Sequence, residues 1–117
     1  VATTADHSSK GYDVTLTGTF SYVRNYQTTT RPNNNLSFAW RFRRDGTQID
    51  SGNTSGTVSV VEELGTYFVS EVANFTIDSE DTTNGVGNFN YTFEVTSILN
   101  PNADLRTTVR TNENLTG

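Results

Sequence analysis

Large apolar side chains fall on alternate positions along much of this chain, most clearly at Leu36, Phe38, Trp40 and Phe42. Period two is the repeat of a half-buried strand, because successive side chains leave a pleated backbone on opposite faces. Asp45-Gly46 follows at once and suits a type I′ turn, whose two central residues both take positive φ. A hairpin closed there sets Arg44 against Thr47, Phe42 against Ile49 and Arg41 against Asp50. This register predicts an apolar pair on the core face and opposite charges on the outer face, leaving Arg43 and Arg44 in the outward row for recognition.

The same alternation runs from Tyr12 through Val14, Leu16, Phe20 and Tyr22, with Gly18 on the apolar face. A missing side chain there predicts a bend or the close approach of another backbone. Arg24 to Asn35 is polar, carries Pro32 and three consecutive Asn, and reads as a long exposed loop. Ser51 to Gly56 reads as a turn-rich link, Thr57 to Glu62 as a strand closed near Leu64-Gly65, and Thr66 to Ile77 as another. Tyr67-Phe68-Val69 is apolar on both faces, as at a bulge or a subunit contact. Asp78 to Gly85 reads as an acidic turn. Phe89, Tyr91, Phe93 and Val95 define one more strand, Asn100-Pro101-Asn102 breaks it, and Leu105, Thr107, Val109 and Thr111 line a last one. Seven or eight strands of this kind pack as an all-β, two-sheet antiparallel β-sandwich. Eight would wind as a jelly roll, with an immunoglobulin-like sandwich as the alternative, although no Cys pair accompanies Trp40.

A length of 117 residues suits one domain. We place it at 12–117, preceded by an extended arm at 1–11 that is small and polar with a faint alternation at Val1, Thr3 and Ala5. The chain has no Cys, which leaves the redox compartment open. It begins with Val1 and contains no apolar run of the kind found in signal peptides or membrane spans, as either a processed, exported subunit or a trimmed chain would. The net charge of −5 argues against nucleic acid or an anionic membrane as partner. Its distribution is more telling. Arg24, Arg31, Arg41, Arg43 and Arg44 follow one another with no acid between them, whereas Glu62, Glu63, Glu71, Asp78, Glu80 and Asp81 follow with no base. Two solvated strand faces would look like this. So would unlike patches that meet between neighbouring copies, through Arg43 and Arg44 on one side and Glu62, Glu63 and Glu71 on the other.

The segments Trp40-Arg41-Phe42-Arg43-Arg44-Asp45-Gly46, Thr66-Tyr67-Phe68, Phe75-Thr76-Ile77-Asp78 and Tyr91-Thr92-Phe93-Glu94-Val95 together give the stretch from Tyr12 to Val109 a recognisable cast. It resembles the jelly-roll domains of bacterial surface and spore-surface proteins, such as those of the exosporium and of endospore appendages. That resemblance implies a non-enzymatic role in fibres, coats or tip structures on the outside of a cell or spore.

Catalytic chemistry lacks its parts. No Cys nucleophile exists, and His7 is the single histidine, without a Cys or second His beside it to hold a metal. Neither a phosphate loop nor a dinucleotide-binding glycine pattern follows a strand. Glu62, Glu71 and Glu94 could supply a carboxylate pair for glycoside hydrolysis, but spacing in sequence does not set their separation. No cofactor is expected. Asp78 to Asp81 offers oxygen ligands for Ca²⁺ but lacks the spaced set of a dedicated loop, so a solvated turn is the simpler reading. Glycosylation triplets begin at Asn35, Asn53, Asn74, Asn90 and Asn114, with Asn53 the most accessible if it lies in a turn.

Two functional readings remain. The first is an extracellular structural subunit whose partners are copies of itself. It would assemble by strand addition from the arm Val1 to Lys10, or alternatively from Asn112 to Gly117, and by the charged patches. The second is a carbohydrate-binding β-sandwich. Trp40, Phe38, Phe89, Tyr91 and Phe93 are in phase with the core, which leaves Tyr26, Tyr67 and Phe68 as platforms for a glycan.

Overall fold

The computed structural model describes residues 2–32, 36–83, 85–96 and 104–114. Seven strands follow in chain order: β1 (Ala2–Lys10), β2 (Asp13–Thr28), β3 (Leu36–Arg44), β4 (Thr47–Glu63), β5 (Thr66–Asp81), β6 (Val86–Val95) and β7 (Asp104–Asn114). All neighbours are antiparallel, in the order β1-β6-β3-β4-β5-β2-β7. The fold is all-β with no helix among the described residues. Its sheet curls until β7 returns alongside β1, which leaves the barrel nearly closed. The result is long and flat, 62 × 24 × 16 Å.

The curl turns on β4. Its residues from Thr47 to Gly56, Ile49 excepted, pair with β3 and its last seven with β5, so the strand passes from one wall of the molecule to the other. The segment Ser51 to Gly56, expected as a link, is continuous strand for this reason. Its glycines are a matter of space. A Cβ on Gly52 would stand 2.6 Å from the Trp40 indole, and one on Gly56 would stand 2.9 Å from the Ala73 Cβ. Asn53 is accordingly a strand residue, though its side chain is exposed as expected.

Gly18 follows the same logic across the core. A Cβ there would lie 2.5 Å from the Phe93 ring, so an aromatic side chain, rather than another backbone, occupies the vacancy on the apolar face of β2. Around this contact Phe20 meets Phe38 with ring centroids 4.6 Å apart, and Phe42 meets Phe93 at 4.9 Å. Val14, Leu16, Tyr22, Leu36, Ala73, Tyr91 and Val95 complete the buried cluster. The alternating rows at Leu36–Phe42 and Phe89–Val95 face inward as the pattern predicts.

At the hairpin, Asp45 (φ 47°) and Gly46 (φ 85°) take the predicted turn conformation. The turn also docks on β6: the Asp45 amide donates to the Asn90 carbonyl and the Asn90 amide to the Asp45 carboxylate, both at 2.8 Å. The register departs from expectation by one residue. A bulge between Phe42 and Arg43 leaves Ile49 unpaired, so Phe42 faces Asp50 and Arg41 faces Ser51. Ile49 still packs against the core, while Asp50 accepts from the Ser79 hydroxyl at 2.7 Å.

Three strands are longer than their patterns suggest. β2 continues to Thr28 through most of the expected loop, β5 continues to Asp81 through the expected acidic turn, and β1 exists at all. Ala2–Lys10, expected as a free arm, pairs with β6 along its whole length. Tyr67-Phe68-Val69 contains no bulge. Val69 is buried and Phe68 points out. Part of the loop (Asn33–Asn35), the break at Asn100-Pro101-Asn102, Val1 and the last three residues lie outside the described residues.

Because the Phe93 ring is itself fully buried and cannot yield, Gly18→Ala is expected to cost about 1–3 kcal/mol in urea unfolding. Gly85→Ala, with nothing within 4 Å of its would-be Cβ, is expected to stay within about 0.5 kcal/mol of the parent.

Candidate interaction site

The strand edge that could receive or donate a neighbour lies where the barrel fails to close. Among the described residues β1 pairs as a strand with β6, and its other side runs along β7. Thr3, Ala5, His7 and Ser9 point inward, and Ser9 is buried. None of these is a large apolar residue, so β1 adds a backbone ladder and little hydrophobic burial. Across the seam, the Thr111 hydroxyl and His7 Nδ1 are 3.2 Å apart. Outside it, the Asn90 side-chain amide donates to Asp6 at 2.8 Å. The alternate arm, Asn112 to Gly117, is occupied as far as Asn114 by β7, which pairs with β2, and beyond that lies outside the described residues. Val1 does as well.

The charged rows meet inside one molecule. Arg24 and Glu71, both in inward phase on adjacent strands, approach to 3.3 Å. Arg41 pairs with Glu94 on β6, in place of the expected Asp50. Arg44 lies in phase with Phe42 and turns inward, so it does not join Arg41 in an outward row, and it reaches Asp81 at 2.9 Å. Glu71 and Arg44 are therefore held by intramolecular partners. Arg43 is half-buried and has no ion pair among the described residues. Glu62 and Glu63 are exposed at the far end of β4.

Asp81 is the most constrained of these groups. Its side chain is 1% exposed and takes hydrogen bonds from the Tyr91 hydroxyl at 2.8 Å and from the Thr83 hydroxyl and amide at 2.8 and 3.1 Å, as well as the Arg44 guanidinium. Burial alone would raise its pKa, but these donors and the Arg44 charge outweigh burial and hold the carboxyl below its ordinary value. Burial, then the hydrogen bond to Asp81 and its charge, push the Tyr91 hydroxyl upward. At the other end of the core, burial and the Glu71 charge raise Tyr22. Of the carboxylates from Asp78 to Asp81 that the sequence offers as calcium ligands, Asp81 is thus committed to protein donors. Asp78 accepts from Thr17 at 3.0 Å, and no group of three or more potential metal ligands exists among the described residues.

The aromatic platforms divide sharply. Trp40 is half-buried against Gly52 and Phe42, as its phase requires. Tyr26 lies on β2, outside any loop, and carries the Arg24 guanidinium 3.9 Å over its ring. Tyr67 is half-buried with Arg31 above it at 5.9 Å. Phe68 alone of the three is exposed, at 40%. Comparison with family models, curated proteins and solved structures yields no match.

The sign of the Asp81 effect is fixed by its lowered pKa. Its stabilisation is complete above the unfolded carboxyl value near 3.8 and disappears as pH falls through the lower folded value. Urea midpoints are therefore expected to drop below about pH 4. Asp81→Asn should cost about 3 kcal/mol at neutral pH and flatten that acid limb. Arg44→Ala should cost about 2 kcal/mol and Arg43→Ala less than about 0.5, which urea titrations would separate.

Proposed function

We propose that this chain is a non-enzymatic structural subunit of an extracellular fibre, pilus or surface coat, assembled by strand exchange through β1. The observation that carries the reading is the character of β1. It is joined to β2 by a two-residue turn at Gly11 and Tyr12, pairs as a strand with β6 alone among the described residues, and brings no large apolar side chain to the core. A strand held mainly by its ladder can leave its own β6 and pair in the same register with that of a neighbour at little net cost. A head-to-tail exchange of this kind yields an open polymer when its rotation does not close.

The long, flat shape and all-β core support a load-bearing role, and we take the curled sheet as a flattened jelly-roll sandwich of the kind that coats and fibres use. Charge complementarity between copies falls to the groups that internal pairing leaves over: Arg43 on one side, Glu62 and Glu63 on the other. Arg44 and Glu71 support the reading only by stiffening the subunit.

Because the chain contains no Cys, an engineered disulfide tests this directly. Ser8 and Asn88 face each other across β1 and β6, and both are exposed. Ser8→Cys with Asn88→Cys, oxidised as the monomer, is expected to give no polymer by negative-stain microscopy and to recover polymerisation on reduction. Equal polymerisation of the oxidised and reduced forms would rule out exchange of β1.

A further inference from the structure

The far end of the molecule carries a surface that strand exchange does not use. Beyond the body of the barrel, β2, β4 and β5 run on together as a three-stranded blade, since β3 and β6 pair only with residues nearer the centre. On the outer face of the blade the registers bring Gln27, Phe68 and Val61 into one row and Asn25, Ser70 and Ser59 into the next. Phe68 stands at the middle strand of the first row, 40% exposed, beside Val61 at 59%. The two rows line a shallow hollow. The row behind, Val23, Val72 and Thr57, is also exposed and uncharged. Arg24 and Glu71 belong to the same strands but face the other way and pair with each other. Nine adjacent outward positions thus carry no ionised group, on a chain whose net charge is −5.

We propose that this face binds a neutral glycan. A pyranose ring presents an apolar C–H face and a rim of hydroxyls, and the surface presents the complement: one aromatic ring, flanked by two carboxamides and two hydroxyls able to donate and accept. Strand spacing gives the nine positions a footprint of about 10 by 13 Å, the scale of a short oligosaccharide. That area falls well short of the roughly 800 Å² per partner of a standard protein interface, which favours a small ligand over a second copy. The absence of a base on the face, with the negative net charge, selects against uronic-acid and sulfated polymers. The inference stands apart from strand exchange, because β1 neighbours none of β2, β4 and β5 in the sheet order.

Native affinity electrophoresis through gels containing a soluble β-1,3-glucan, xyloglucan, galactomannan or glycol chitin tests the proposal, with alginate as the anionic comparison. At least one neutral polymer is expected to retard the protein. Phe68→Ala should weaken that retardation about tenfold, equivalent to about 1.4 kcal/mol, and Ser59→Glu should weaken it similarly. Gly85→Ala should leave it unchanged, and all three variants should keep the parent's circular dichroism. Retardation by none of the neutral polymers, by alginate alone, or equally for Phe68→Ala would overturn the proposal. Self-association abolished by Phe68→Ala, without glycan retardation, would overturn it in favour of a second copy.

Discussion

A single buried carboxylate ties the lower half of this molecule together. Asp81 ends β5, yet its oxygens bind Arg44 from β3, Tyr91 from β6 and Thr83 from the following turn. An unpaired carboxylate in that position would carry a desolvation penalty of several kcal/mol, so its donors must all be in place together. Meeting that demand fixes where β5 stops, how the β3–β4 hairpin leans on β6, and why Arg44 turns inward. The bulge at Phe42/Arg43 accommodates the same geometry on the hairpin side, since Ile49 is accommodated without disturbing either Phe42 or Arg44.

Above that cluster, shape takes over from charge. Gly18, Gly52 and Gly56 each face a large side chain that occupies the space a Cβ would need. These contacts set the distance between the walls of the curled sheet, because close-packed interiors tolerate neither overlap nor void. A sheet curled in this way encloses a continuous aromatic core. On the outside lie the edge of β1, for which strand exchange is proposed, and the uncharged face of the blade around Phe68. The two surfaces draw on different physics, backbone pairing in one case and stacking with neutral hydrogen bonding in the other.

Alternation was a faithful guide wherever the interior is apolar. Leu36–Phe42, Phe89–Val95 and Val14–Tyr22 could be assigned to faces residue by residue, and Asp45-Gly46 named its own turn. It failed wherever the interior is polar. Arg24, Tyr26 and Thr28 point inward on β2, and Ser79 and Asp81 point inward on β5, so both strands looked like loops until their buried partners were known. β1 was obscured for the same reason, since Thr3, Ala5, His7 and Ser9 are an inward row without bulk. The basic and acidic runs along the chain meet in part within one subunit, where Arg24–Glu71 and Arg44–Asp81 join them. A cue was present in the registry of opposite charges, with Arg24 and Glu71 both in strand phase, but pairing strands distant in sequence lies beyond local pattern.

By itself, then, the sequence determined that the chain is all-β, which rows of aromatics form the core, and where the tightest hairpin turns. Those properties follow from side-chain period and turn conformation, which are local. Tertiary structure alone decided the strand order, the sheet's single continuous curl through β4, the capture of β1 by its own β6, and the partners of Arg41, Arg44 and Glu71. Each of these depends on which distant residues can share a register and satisfy one another's buried charges, volumes and backbone groups. It also decided that, of three aromatics open to recognition, Phe68 is the one presented to solvent on an uncharged face.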